Sequence, residues 1–136
     1  MPQAHVVAVL GLTLLLAGPA CSDSTDISEC HGQIQVSATP GPAPVFDWAE
    51  DCMIGYLVVE DRGDQTGYWN VSSPPGQNII APPVTFRVVP DGATEDGPSI
   101  PLVQGGAYRV FAYLMDEDQN GEITTQQIGQ ADFNYP

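Results

Sequence analysis

Beyond Leu16 the chain sustains no run of apolar residues at helical spacing. Its apolar residues come in short bursts, each closed within a few positions by Gly, Pro or Asp. A chain punctuated in this way cannot build long helices. With 14 Gly and 13 Pro among 136 residues, and with Val, Ile, Tyr, Phe and Trp filling the bursts, the pattern predicts short strands joined by turns. The expected class is all-β rather than disorder. A chain of this length supports one modest core, so a single domain is expected.

The strands can be read in order. Residues 33–38 alternate polar and apolar, and Thr39-Pro40-Gly41-Pro42 closes them. Residues 44–48 form the second strand and 53–59 the third, reached through Ala49-Glu50-Asp51-Cys52 and expected at the centre of a sheet. Residues 67–71, 84–89, 107–114 and 127–133 complete the set. Seven strands is the count of an immunoglobulin-type sandwich.

Residues 1–20 are different. Val6 to Leu16 is apolar apart from Gly11 and Thr13, and the small residues Ala17-Gly18-Pro19-Ala20 follow, which reads as a signal peptide with its cleavage zone. The run falls short of the ~20 apolar residues of a membrane span, and no basic cluster follows it. Next comes Cys21 and the polar tract Ser22-Asp23-Ser24-Thr25-Asp26. Residues 21–29 are expected to be a tether and 30–136 the β domain.

That arrangement resembles a bacterial lipoprotein. The resemblance implies that Cys21 is lipidated and becomes the new N-terminus, so that the exported chain is held at the cell envelope by its lipid; plain secretion, or a soluble periplasmic protein, is the alternative. Three cysteines leave one over, and lipidation of Cys21 would remove it. Cys30 and Cys52 are then expected to pair in an oxidising compartment, adding roughly 3 kcal/mol of stability. Only His31 stands near Cys30 and no C-x-x-C spacing occurs, which argues against zinc.

Phe46-Asp47-Trp48, Ile54-Gly55-Tyr56 and the spacing Leu102-x-x-Gly105-x-x-Tyr108 fall in strand-appropriate places. Together they resemble a fibronectin type III domain. The resemblance implies a core Trp48 on the second strand, a core Tyr56 on the third, and a corner in which Tyr108, paired with Leu102, returns its hydroxyl to the backbone.

Charge narrows the function. Seventeen acidic residues face three arginines and no lysine, for a net of -14, a field that repels phosphate backbones and anionic headgroups. No nucleic-acid partner is expected, and the membrane is reached through the lipid anchor only. After Cys21 the chain has one histidine, His31, and no lysine, leaving little for acid–base or nucleophilic chemistry. The first expectation is therefore a non-catalytic envelope module that displays its sandwich to a protein or glycan, with no required cofactor.

A second expectation rests on Asp116-Glu117-Asp118-Gln119-Asn120-Gly121-Glu122, which resembles the front of an EF-hand calcium loop spanning 116–127. In that loop alternate oxygens converge on one cation and the glycine permits a sharp turn. The resemblance makes Asp116, Asp118, Asn120 and Glu122 candidate calcium ligands in a structural envelope protein. Gln127 stands where such a loop carries its bidentate Glu, and a solvated hairpin with Asn-Gly turn chemistry is the alternative. Arg62-Gly63-Asp64 is read as a turn, and Asn70-Val71-Ser72 as a sequon by pattern only.

Overall fold

The computed structural model of this chain describes residues 27–136. The expected signal peptide, Cys21 and residues 22–26 lie outside the described residues. Among the described residues the protein is built from strands and turns, with no helix.

Ten strands follow in order: β1 (Ser28–Glu29), β2 (Val36–Thr39), β3 (Val45–Trp48), β4 (Cys52–Met53), β5 (Tyr56–Asp61), β6 (Gly67–Ser72), β7 (Val84–Thr85), β8 (Thr94–Glu95), β9 (Ala107–Glu117) and β10 (Ile123–Asn134). They form a five-stranded antiparallel sheet in the order β10-β9-β5-β6-β8, a three-stranded sheet β2-β3-β7, and a short parallel pair of β1 and β4.

Period-two alternation decides which side chains meet. Leu57 and Val59 of β5, Trp69 and Val71 of β6, and Tyr108, Val110 and Ala112 of β9 are buried on one face of the large sheet. Phe46 and Trp48 of β3 and Val84 of β7 face them from the small sheet and belong to the same core cluster. Phe46 meets Phe133 of β10 with ring centroids 5.5 Å apart, and Trp69 meets Phe86 edge-on at the same separation. Each fully buried side chain of this size contributes roughly 1.5–3 kcal/mol, so this shared core outweighs any single crosslink.

The crosslink is nevertheless well placed. Cys30 and Cys52 form a disulfide across 22 residues of sequence. The indole N–H of Trp48 donates to the carbonyl of Cys52 at 2.8 Å. One buried aromatic thus fixes the turn that carries the sulfur.

The structure departs from the predicted strands at several places. β2 starts at Val36 and takes in Thr39, the residue expected to close it, Ser28–Glu29 of the expected tether is a strand, and Thr94–Glu95 adds one beyond those predicted. The run 53–59 is broken: Cys52–Met53 pairs with Ser28–Glu29, Ile54 bridges Ile80, and the central strand starts only at Tyr56. Gly55 is the reason, because a Cβ there would lie 2.6 Å from that of Met115. The run 84–89 ends at Thr85, since Val88 N–H returns to the Thr85 carbonyl and Arg87 takes a φ of 62°. The last strand begins at Ile123 and pairs with β9 from Glu117 downwards. Near its middle a register shift between Gln127 and Gly129 turns both Ile128 and Gly129 inward, as a bulge does.

Candidate functional site

The acidic stretch 116–124 forms the tip of the β9–β10 hairpin. Asp116 and Glu117 end β9, Ile123 and Thr124 open β10, and Asp118 to Glu122 makes the connection. Gly121, at a φ of 80°, donates its N–H to the carbonyl of Asp118 at 3.0 Å. One carboxylate oxygen of Asp118 accepts from the backbone N–H of Asn120 at 2.8 Å and of Glu122 at 2.9 Å. Those bonds, first the one from Glu122, hold the Asp118 carboxyl below the usual carboxylate range. The Asp116 carboxylate accepts from Glu117 N–H.

Among the described residues no group of three or more His, Cys, Asp or Glu side chains is placed to hold a metal ion. The geometry is that of a hairpin turn in which an aspartate caps its own loop.

Arg62-Gly63-Asp64 is also a local turn: Asp61 accepts from the N–H of Gly63 at 2.6 Å, and Asp64 accepts from Thr66 at 2.9 Å. Arg62 shares Asp132 with Arg109, whose Nε lies 2.5 Å from the carboxylate. The Arg109 hydrogen bond, before any other cause, keeps the Asp132 carboxyl below its ordinary range.

Of the aromatics singled out by sequence, Trp48 and Tyr108 are buried at 3% and 1% exposure, and Leu102 packs half-buried against the core. The Tyr108 hydroxyl accepts from the backbone N–H of Val103 at 2.7 Å. Tyr56 sits elsewhere than expected. It points to the outer face of the large sheet, where it packs on Tyr113 at 5.7 Å and its hydroxyl accepts from the Asn70 amide. The reason is alternation along β5, which begins at Tyr56 and gives the inward positions to Leu57 and Val59.

A cleft of about 500 Å³ opens at the end of the sheets where β9 begins. Pro42, Phe86, Arg87, Glu95, Ser99 and Tyr135 are among the residues that line it. Tyr135 is tied to this end by the bond from Gly105 N–H to its carbonyl, and its hydroxyl donates to the Pro42 carbonyl at 3.3 Å. Arg87 Nε donates to Ser99 Oγ at 3.0 Å, and Glu95 accepts from the Trp69 indole at 2.8 Å.

Among the described residues Arg87 is the one arginine that forms no ion pair. Four of the five exposed large apolar side chains, Val88, Val89, Ile100 and Val103, lie on the two segments that wall this cleft. Sequence reading missed the site because it placed Arg87 inside a strand. The usable signal was scarcity: in a chain with three arginines, each one needs a reason.

The cleft lies at the opposite end of β9 from the place where the described chain enters. Strand β1 pairs with β4 beside Gly55, whose N–H bonds to the carbonyl of Tyr113, whereas Tyr135 pairs beside Gly106. Seven residues of chain at about 3.4 Å each put roughly 24 Å between those levels.

Compared with known proteins, the chain matches no family model, no curated protein and no solved structure.

Proposed function

We propose that this protein is a non-catalytic cell-envelope lipoprotein whose fibronectin type III-like sandwich is held out from the membrane by Cys21 as a binding module. The observation that carries the reading is the sheet order. Counting β2, β3, β5, β6, β7, β9 and β10 as the sandwich strands, the first, second and fifth lie in one sheet and the third, fourth, sixth and seventh in the other. That partition, together with the Tyr108 corner, supports the immunoglobulin-like reading.

The position of the cleft supports display. A chain tethered through residues 21–29 enters beside β4, so the Arg87 cleft at the far end of β9 faces away from the bilayer. The partner is a protein or glycan that reaches the envelope surface. Nothing in the cleft resembles a nucleophile paired with a base, and sandwiches of this plan commonly serve as recognition scaffolds whose function lies in the grafted site.

Detergent-phase partitioning of the chain expressed in a bacterial host tests the display. The wild type is expected in the detergent phase with the membranes, and Cys21→Ala in the aqueous phase. Equal aqueous partitioning of both would overturn the anchor and leave a soluble exported module.

A further inference from the structure

We propose that the Arg87 cleft binds a single carboxylate carried on an apolar body, the chemistry shared by the free end of a polypeptide with an apolar last residue and by a small aliphatic acid. The inference rests on reading the domain as a binding module, and it names the ligand class of that module.

Arg87 occupies the third position of the turn closed by Val88 N–H on the Thr85 carbonyl, with a φ of 62°. Gly or Asn is the ordinary residue there, because a Cβ is disfavoured in the left-handed region. A long charged side chain held in such a conformation points to a role for the side chain, since strained backbone collects at functional sites. Its Nε is oriented by Ser99 Oγ, while no carboxylate of the described residues engages the guanidinium. The fork that suits a carboxylate is therefore left free.

The walls select what accompanies the charge. Phe86, Pro42, Pro101 and Leu102 give the cleft apolar surface, and the exposed Val88 and Val103 follow the lining residues Arg87 and Leu102 in the chain. Polyanions are disfavoured twice, by the net charge of -14 and by Glu95, which lines the same cleft. One carboxylate with an apolar body satisfies Arg87 and brings only a single negative charge into a cleft that already holds Glu95, and a cleft of about 500 Å³ holds a ligand of that size.

The test is a titration followed by amide and arginine Nε–H resonances, on isotope-labelled protein purified intact as the cell exports it. The probes are N-acetyl-leucine for a chain end, octanoate for a free acid, and N-acetyl-leucinamide as the neutral isostere. At least one acid is expected to shift Arg87, Ser99 and Phe86 saturably and to bind about tenfold or more tightly than the amide. The tighter acid identifies the source. Arg87→Gln is expected to abolish that preference.

Arg87→Gly controls for folding: it relieves the turn, so it should melt no lower than the wild type and still lose the acid. Equal shifts from acid and amide, or none from either acid, overturn the carboxylate assignment. The display reading is untouched by that result, because it is decided by the partitioning of Cys21→Ala. Unaltered acid binding by Arg87→Gly would likewise overturn the assignment.

Discussion

The phenol oxygen of Tyr108 lies 2.7 Å from the backbone nitrogen of Val103, five residues earlier in the chain, and accepts its hydrogen bond. The ring beneath is buried, edge-on to Tyr68 at 5.0 Å and against Phe133 at 5.7 Å. Tyr108→Phe keeps that packing but leaves the Val103 N–H without its partner, a loss of about 1–2 kcal/mol. Urea unfolding at unchanged slope is the measurement. Gly106→Ala should cost more, because its Cβ would stand 2.5 Å from the same hydroxyl and 2.7 Å from the ring.

Asn78 acts as a piece of strand. Its amide nitrogen donates to the Met115 carbonyl at 2.9 Å and its oxygen accepts from the Met115 N–H at 2.8 Å, at a site where Asn78 is 6% exposed. Asn78→Ala orphans both backbone groups and is expected to cost about 2–3 kcal/mol. Amide exchange at Met115 should accelerate more than exchange at Val110, which marks the loss as local.

Cys30→Ser combined with Cys52→Ser removes a crosslink that closes 22 residues. The double variant should lose about 3 kcal/mol against the oxidised protein. It should remain folded, since the two cysteines share their core with Phe46, Trp69, Tyr108 and the other buried apolar side chains, which the double variant leaves in place.

Acid should unfold the protein from a definite side. Asp64, Asp118 and Asp132 all have carboxyls held below the ordinary range, by the Thr66 backbone, the Glu122 backbone and Arg109 respectively. A group whose folded value is depressed contributes stability above its unfolded value and loses it as pH falls through the folded one. Melting temperature should therefore fall below about pH 4. In alkali the sign reverses: burial raises Tyr56 and Tyr113, so their contribution is intact below about pH 10 and lost as pH rises further.

Millimolar calcium is expected to leave the melting temperature unchanged. One Asp118 carboxylate oxygen already accepts from the Asn120 and Glu122 N–H groups, and no group of three or more His, Cys, Asp or Glu side chains among the described residues is placed to hold an ion. A calcium-dependent rise would mean that the hairpin reorganises around the ion.

Much of the strand framework was legible in the residues. The alternation through Tyr108, Val110 and Ala112 marks one buried face, and Trp48 and Tyr108 carry signals strong enough to place by type. The break at Gly55 was not legible, because the reason for it is Met115, sixty residues away. Local pattern carries no such contact. The acidic loop was legible only as two alternatives, because Asp-x-Asp-x-Asn-Gly spaces oxygens in the same way whether a cation or two backbone N–H groups receive them. Arg87 was hidden because residues 84–89 read as a continuous strand, whereas the chain turns after Thr85.

Intact mass of the mature protein extracted from membranes, with and without alkylation under non-reducing conditions, tests the anchor and the disulfide together. The expected result is a chain beginning at a lipid-modified Cys21 with no alkylatable thiol. An unmodified mature chain, a retained 1–20 segment, or alkylation at Cys21 would contradict it.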